Sequence, residues 1–326
     1  LEGIYGFHRL TCRAAGSGQM AQVEVVDLKK EFEEKNYSIF SRKLYQALKD
    51  CLDRKEQAMI FLNRRGYSGM VSCRQCGHVI QCPHCDVAMK LHRSKDKAWL
   101  ACHYCGQTLP FPKRCPSCGS PYIGAFGTGT QKVEQMLKDA FPFARILRAD
   151  QDTTRRKHGS EDVFEAFYKK EADILVGTQM IVKGHDFKDV TLVGILAADL
   201  SMFSGDYMAG ERTFQLLTQA AGRAGRGDRP GQVIIQTYQP EHYAVTAAAK
   251  QDYEAFYKEE MAYRKMMAYP PVCRMMVWIV EDLDRERAES CIREFYRIGK
   301  ELSDLAVLPP APAAIAKERD RFRYVL

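Results

Sequence analysis

Four Cys-x-x-Cys pairs in one stretch constrain this chain more than any other feature: Cys73/Cys76, Cys82/Cys85, Cys102/Cys105 and Cys115/Cys118. Eight thiolates in tight pairs are the complement of two tetrahedral Zn²⁺ sites per chain. Spacing suggests how they divide. Cys85 and Cys102 are separated by about the 15–20 residues found between the knuckles of a zinc ribbon, whereas Cys76 and Cys82 stand too close for a hairpin between two knuckles. A nested arrangement follows, with Cys82, Cys85, Cys102 and Cys105 at an inner site. Cys73, Cys76, Cys115 and Cys118 then form an outer site that closes the neck of the block. A cross-brace, first knuckle with third and second with fourth, is the rival pairing. Gly77, Gly106 and Gly119 each follow the second Cys of a knuckle, where a positive φ turns backbone N–H groups toward sulfur. Asp86 holds that place in the remaining knuckle.

A disulfide framework would use the same cysteines. The pair spacing and the lack of a signal peptide point instead to a reducing compartment, the cytoplasm, and no apolar run approaches a bilayer span. All-Cys sites are coordinatively closed, so their expected work is holding a small domain together. Cys12, Cys51, Cys273 and Cys291 stand alone and read as buried small hydrophobes. The 326 residues suffice for two or more domains, and a formal net charge of +7 suggests a polyanionic partner.

The cysteine block interrupts something else. Before it runs an apolar strand ending in Asn63-Arg64-Arg65-Gly66; after it, Gly127-Thr128-Gly129-Thr130 opens a helix that Thr130 is expected to cap. Further strands are expected at 23–27, 144–148, 173–177, 190–197 and 232–236. Between them lie helices from Ser41, through Val133 and Leu137, through Phe164 and Phe167, and through Phe214 and Leu217. Such alternation implies a parallel sheet covered on both faces. From about Tyr243 the pattern changes to one long Tyr-, Lys- and Glu-rich helix, a Tyr269-Pro270-Pro271 turn, a strand at 275–281 and another helix. The expected division is a connector at 1–22, an α/β lobe at 23–72 and 121–240, a zinc insert at 73–120, and an incomplete α+β domain at 241–326. The first residue is not Met and the last six alternate like a strand cut short, so a piece of a longer protein is expected.

Gln219-Ala220-Ala221-Gly222-Arg223-Ala224-Gly225-Arg226 sets two guanidinium groups beside small residues at a helix end, where a bidentate fork can reach phosphate; solvated arginines capping the helix are the alternative. Together with Phe61–Tyr67 and Thr178–Asp186, this string resembles motifs IV, V and VI of the second RecA-like lobe of superfamily 2 helicases. The two-zinc insert after the first of these motifs, with Ala149-Asp150-Gln151-Asp152-Thr153-Thr154 downstream, narrows the resemblance to the bacterial replication-restart (primosomal) helicases of the PriA family.

The resemblance implies a RecA-like α/β lobe and ATP-driven 3′ to 5′ translocation on DNA. It implies Arg226 as arginine finger with Arg223 beside it, Gln219 facing the inter-lobe cleft, and Gly184 and Asp186 near the nucleotide. Thr178, Gly129 and Thr130 would hold DNA backbone, with Arg64 and Arg65 touching the strand. It implies ATP and Mg²⁺ as cofactors of the full-length protein. The implied partners are forks, D-loops and single-stranded DNA, together with primosome proteins, single-stranded DNA-binding protein and the loading machinery of the replicative helicase, all engaged by a monomer with no membrane. No Gly-x-x-x-x-Gly-Lys-Ser/Thr loop and no Asp-Glu-x-His box occurs in the sequence. The implication is half of an ATPase, inactive alone. A non-motor zinc module that binds nucleic acid or scaffolds proteins, and a fork-remodelling helicase of another superfamily 2 family, are the competing readings.

Overall fold

The computed structural model describes residues 20–62, 70–84, 88–94, 97–102, 106–125, 129–150, 159–181, 187–199, 202, 206–227, 229–302, 306–318 and 320–326. The chain opens with β1 (Gln22–Asp27), α1 (Leu28–Glu33), α2 (Arg42–Asp53) and β2 (Gln57–Leu62). The insert follows, with β3 (Val71–Cys73), β4 (Lys90–Arg93), β5 (Ala98–Ala101), β6 (Thr108–Pro110) and β7 (Ile123–Ala125). Then come α3 (Thr130–Ala140), β8 (Ile146–Ala149), α4 (Gly159–Tyr168), β9 (Ile174–Gly177), β10 (Val190–Leu196), α5 (Ala209–Ala221) and β11 (Gln232–Thr237). After them lie α6 (Tyr243–Lys250), α7 (Tyr253–Met267), β12 (Ile279–Asp282), α8 (Arg285–Lys300), β13 (Ala311–Glu318) and β14 (Arg321–Val325).

Strands β1, β11, β10, β2, β9 and β8 lie side by side in that order, every pair parallel. Their alternation sorts side chains cleanly onto two faces. Met59, Phe61, Leu175, Val193, Ile195, Val233 and Ile235 face α4, α5 and α6, while Ala58, Ile60, Ile174, Val176, Leu192 and Ile234 face Leu44 and Leu48 of α2 and Val133 and Leu137 of α3. Burial on both faces is why these strands read as unbroken apolar runs. Ser41 caps α2, its Oγ accepting from Leu44 N at 3.1 Å.

The insert leaves the sheet after β2 and returns before α3, and its neck is closed by the antiparallel pair β3–β7. Strands β4, β5 and β6 form an antiparallel meander over a core of Val71, Ile80, Cys82, Met89, Leu100 and Cys102.

Several expectations change. The helix expected from Tyr243 onward is two, broken at Gln251, which sits in the left-handed region at φ 52°; Asp252 then caps α7 through Ala255 N. The core of the α/β lobe also runs past residue 241: Ala244, Val245, Ala247, Ala248 and Phe256 belong to it, and the rings of Phe214 and Phe256 stack at 4.1 Å. The C-terminal unit has its own small core of Ala288, Ile292 and Tyr324 under the antiparallel sheet β12-β14-β13. Its first strand, Ile279–Asp282, lies within the expected 275–281 region and pairs with β14; Trp278 and Leu326 exchange backbone hydrogen bonds, and Met275, Met276 and Val277 are exposed. Cys51 is buried, but Cys273 is half-buried and Cys291 exposed, so neither packs as a small core hydrophobe; Cys12 lies outside the described residues.

Candidate functional site

The first and fourth knuckles face each other across the neck. The four sulfurs of Cys73, Cys76, Cys115 and Cys118 lie within 4.8 Å of one another, with Cys73–Cys118 at 3.7 Å and Cys76–Cys115 at 3.8 Å. A tetrahedron of Zn–S bonds of about 2.3 Å has edges of about 3.8 Å, so the donor set fits Zn²⁺. Both knuckles are built alike. Cys73 N donates to His78 O and Gly77 N to Cys73 O; Cys115 N donates to Ser120 O and Gly119 N to Cys115 O. The Cys102 knuckle repeats the pattern with Gln107 O and Gly106 N, and the three glycines share φ near +75°, at 77°, 72° and 77° for Gly77, Gly119 and Gly106.

Burial and the close sulfurs together set the ionisation of three of these thiols. Burial pushes Cys76 up to about 12 and raises Cys118, whereas at Cys73 the N–H groups of Cys76 and Gln75 outweigh burial and hold the thiol low. One anion among close sulfurs discourages the next, a conflict that a divalent cation removes. Of the other four cysteines, Cys82 and Cys102 are buried in the insert's core, while Cys85 and Cys105 lie outside the described residues.

The outer knuckle is docked on the sheet. Met70 and Val79 pack on Ala197, just past β10, and Gly77 abuts Tyr238, just past β11. A Cβ on Gly77 would come within 2.5 Å of Tyr238 Cβ. Burial raises the Tyr238 phenol, and its N–H donates at 3.3 Å to Asp199, a carboxyl that burial pushes up. On the other side of the neck, the rings of Tyr122 and Tyr37 stack at 5.4 Å over Phe32 of α1. Gly106 makes a control for this docking, since a Cβ there meets nothing within 4 Å. Gly106→Ala is expected to cost only the left-handed backbone strain of about 1–2 kcal/mol. Gly77→Ala should cost about 1–3 kcal/mol more from overpacking against Tyr238, read by chemical denaturation of the two variants side by side.

Beneath the insert, the carboxyl edge of the sheet gathers the ends of β8 and β9 and the start of α3. Gly129, not Thr130, is the N-cap of α3, and it offers no side-chain cap. Thr130 is 1% exposed and its hydroxyl donates to Asp150, which also receives Arg148 Nη1 at 2.8 Å. The groups left facing outward at this helix start are the backbone N–H donors, not the Thr130 hydroxyl. Thr178 follows β9 on the same edge, its carbonyl accepting from Ile181 N at 3.1 Å.

The arginine loop lies at the opposite, amino edge. Gly225, at φ 68°, donates its N–H to Val190 O at the start of β10, and a Cβ on it would come within 2.4 Å of Gly231 N, just before β11. A Cβ on Gly227 would come within 2.6 Å of Lys188 O. Gln219 and Arg226 are exposed on this edge and Arg223 is half-buried. Arg226 Nε donates to Gly222 O at 2.8 Å, folding the side chain over the helix end. The segment after β9 thus starts at Thr178 on one edge and arrives at Phe187–Val190, against the arginine loop, on the other. Gly184 and Asp186, and likewise Arg64 and Arg65, lie outside the described residues. Asp199 and Tyr238 stand in no motif of the sequence, and Asp150 stands in one whose string does not reveal its bond to Thr130; all three act through contacts distant along the chain.

Comparison with known proteins follows the same division. A family model for the PriA DNA helicase Cys-rich region matches residues 82–110, one for the helicase conserved C-terminal domain matches 124–228, and one for the primosomal protein N C-terminal domain matches 265–326. The replication restart protein PriA of Bacillus subtilis is 46% identical over 329 residues, covering 99% of this chain and 40% of that protein. That of Haemophilus influenzae is 35% identical, covering 98% and 43%. The chain therefore spans about two fifths of the length of these relatives. Among solved structures, Saccharomyces cerevisiae Dbp5 bound to RNA and ADP BeF3 aligns over 76% of this chain and 45% of that one, at 11% identity and a TM-score of 0.36, a likeness too loose to carry an argument. Among the described residues, no helix is long and apolar enough to cross a membrane. A RecA-like helicase lobe holding a zinc-binding cysteine cluster at its carboxyl edge, matched in chain order by these models and over nearly its whole length by these relatives, belongs to the family of the replication restart protein PriA.

Proposed function

We propose that this chain is the second motor lobe and zinc module of an ATP-dependent 3′ to 5′ DNA helicase that remodels stalled forks and D-loops and assembles the primosome for replication restart. The observation that carries this reading is the separation of the two edges of one sheet. The helix start at Gly129 and Thr130 and the residue Thr178 share the carboxyl edge with the docked insert, and Gln219, Arg223 and Arg226 share the amino edge. A motor needs its track and its nucleotide on distinct surfaces joined by a continuous segment, and residues 178–190 are such a segment. In this reading Arg226 meets the γ-phosphate of ATP, with Mg²⁺ and the phosphate cradle supplied by another lobe, and Gly184 and Asp186 approach the nucleotide. Arg64 and Arg65, which come after β2 in the sequence, touch the DNA strand in the same reading.

Two Zn²⁺ complete the insert: the outer held by Cys73, Cys76, Cys115 and Cys118, the inner by Cys82, Cys85, Cys102 and Cys105. Both serve structure, and the insert they hold offers a surface at the DNA edge for strand separation and for primosome proteins, single-stranded DNA-binding protein and the machinery that loads the replicative helicase. The protein works as a monomer.

The chain by itself is expected to bind single-stranded DNA without turning over ATP. Binding should weaken steeply with salt, log K falling by about 0.7 per phosphate neutralised for each decade of salt. Fluorescence anisotropy across a salt series, with phosphate release measured on the same preparation, checks both halves. Hydrolysis that copurifies with the chain would overturn the half-site reading, and salt-independent or absent DNA binding would favour a protein-scaffolding module.

A further inference from the structure

Helix α5, which ends in the arginine loop, has a second attachment at its other end. Arg264, in the last turn of α7, donates from Nη2 to Glu211 in the first turn of α5 at 2.6 Å. Its Nε donates to Glu260 at 2.8 Å and its Nη1 to the carbonyl of Pro270 at 2.8 Å. Its guanidinium carbon lies 5.4 Å from the centre of the Tyr207 ring. Arg264 and Glu260 are 6% and 4% exposed, and the second Glu260 oxygen accepts from the Tyr243 hydroxyl of α6 at 2.7 Å. Against the desolvation of its burial, Glu260 and Glu211 hold the guanidinium above its ordinary pKa, so it stays charged.

Residues 268–271 are the turn by which the chain leaves the lobe. That turn is clamped as well: the Tyr269 ring sits 5.3 Å from Tyr207 and 6.1 Å from Tyr263. Beyond it, the core of the C-terminal unit shares no residue with the core of the lobe among the described residues.

A buried ion pair is a poor device for stability, because well-packed apolar side chains of the same volume do as well or better. What a guanidinium adds is direction: its planar fork fixes several acceptors at once. Here the acceptors belong to α5, α7 and the turn into the C-terminal unit. We propose that Arg264 is a positioning residue that makes α5 and the C-terminal unit one mechanical body, so that a shift of the arginine loop at one end of α5 reaches the surface formed by α8 and β12–β14. The orientation claim stands on this chain alone; its consequence for turnover rests on the motor reading given above.

The first test uses this chain with a donor and an acceptor dye on unnatural amino acids at the exposed positions Tyr168 of α4 and Ile298 of α8. The parent is expected to give one narrow single-molecule transfer distribution and Arg264→Lys, which keeps the charge but loses the fork, a broader one. Arg264→Met alone strands the buried Glu260 and the half-buried Glu211 and risks unfolding, so the decisive variant is Arg264→Met with Glu211→Gln and Glu260→Gln. It should fold and give the broadest distribution; a distribution as narrow as the parent's overturns the proposal. In a full-length protein carrying this chain, the same triple variant is expected to keep single-stranded-DNA-stimulated ATP turnover within about twofold while unwinding falls about tenfold or more. Equal loss of turnover and unwinding, with a lowered Tm, would reduce Arg264 to a stabilising residue and also overturn it. If the parent full-length protein shows no turnover, the motor reading fails while the transfer distributions still decide the orientation claim.

Discussion

Replacing Arg226 by alanine in a full-length protein carrying this chain is expected to lower DNA-stimulated kcat by roughly 10³–10⁵, with much weaker change in ATP binding. The size follows from where such a group acts: charge spreads over the phosphoryl oxygens only in the transition state, so a guanidinium that meets it there contributes to kcat and little to ground-state affinity. In this structure Arg226 donates to Gly222 O at the exposed helix end. To act as a finger it must leave that hydrogen bond, at a net cost of about 0.5–1.5 kcal/mol, a small fraction of the 4–7 kcal/mol that the rate effect represents. A side chain that merely caps the helix makes a different forecast: a stability change of about half a kcal/mol or less and unchanged kinetics. The measurement is kcat at saturating single-stranded DNA beside a melting curve. Near-parent kcat with a parent-like Tm would sink the assignment, and a large loss seen only with Arg223→Ala would move the role to Arg223.

The second large effect is expected at the neck. Cys115→Ser removes one of the four sulfurs gathered within 4.8 Å and leaves a set that no longer completes a tetrahedral site. Structural zinc contributes on the order of 10–16 kcal/mol to folding in small zinc domains, far more than the short pair β3–β7 can replace. The variant should therefore lose one Zn²⁺ of two, and amide exchange across 70–125 should rise while the strands of the six-stranded sheet stay protected. Ser120, whose carbonyl accepts from Cys115 N, and Tyr238 against Gly77 are expected to feel the loss first. Two zinc ions retained by the variant, measured by mass spectrometry under native conditions, would refute the outer grouping.

How much of this was legible in the sequence depends on how far apart the deciding residues lie. The central strands were plain because burial on both faces leaves no polar residue in 58–62 or 174–177 to confuse the pattern. The capping role expected of Thr130 was misplaced by one residue for a reason no local pattern holds: Asp150, across the sheet edge, takes the hydroxyl inward. The break at Gln251 is not legible in the sequence because the composition stays helix-favouring on both sides, and the left-handed φ at that one residue marks it. The grouping of cysteines was suggested by spacing, yet the seat of the insert on Ala197 and Tyr238 joins residues more than a hundred positions apart along the chain. Nothing short of the fold brings them together.

The insert interrupts the connection between Leu62 and Thr130, so the closure of that connection is also an entropic event in folding. Strand β2 lies between β9 and β10, both made later in the chain, and neither can dock until the loop out of β2 has been brought back. With Cys73 and Cys118 held on one metal, the freely jointed path between Leu62 and Thr130 shortens about threefold, which lowers the closure cost by about 1 kcal/mol. Zinc bound early would then speed assembly of a sheet that gives it no ligand, by about fivefold if the loop is closed in the transition state.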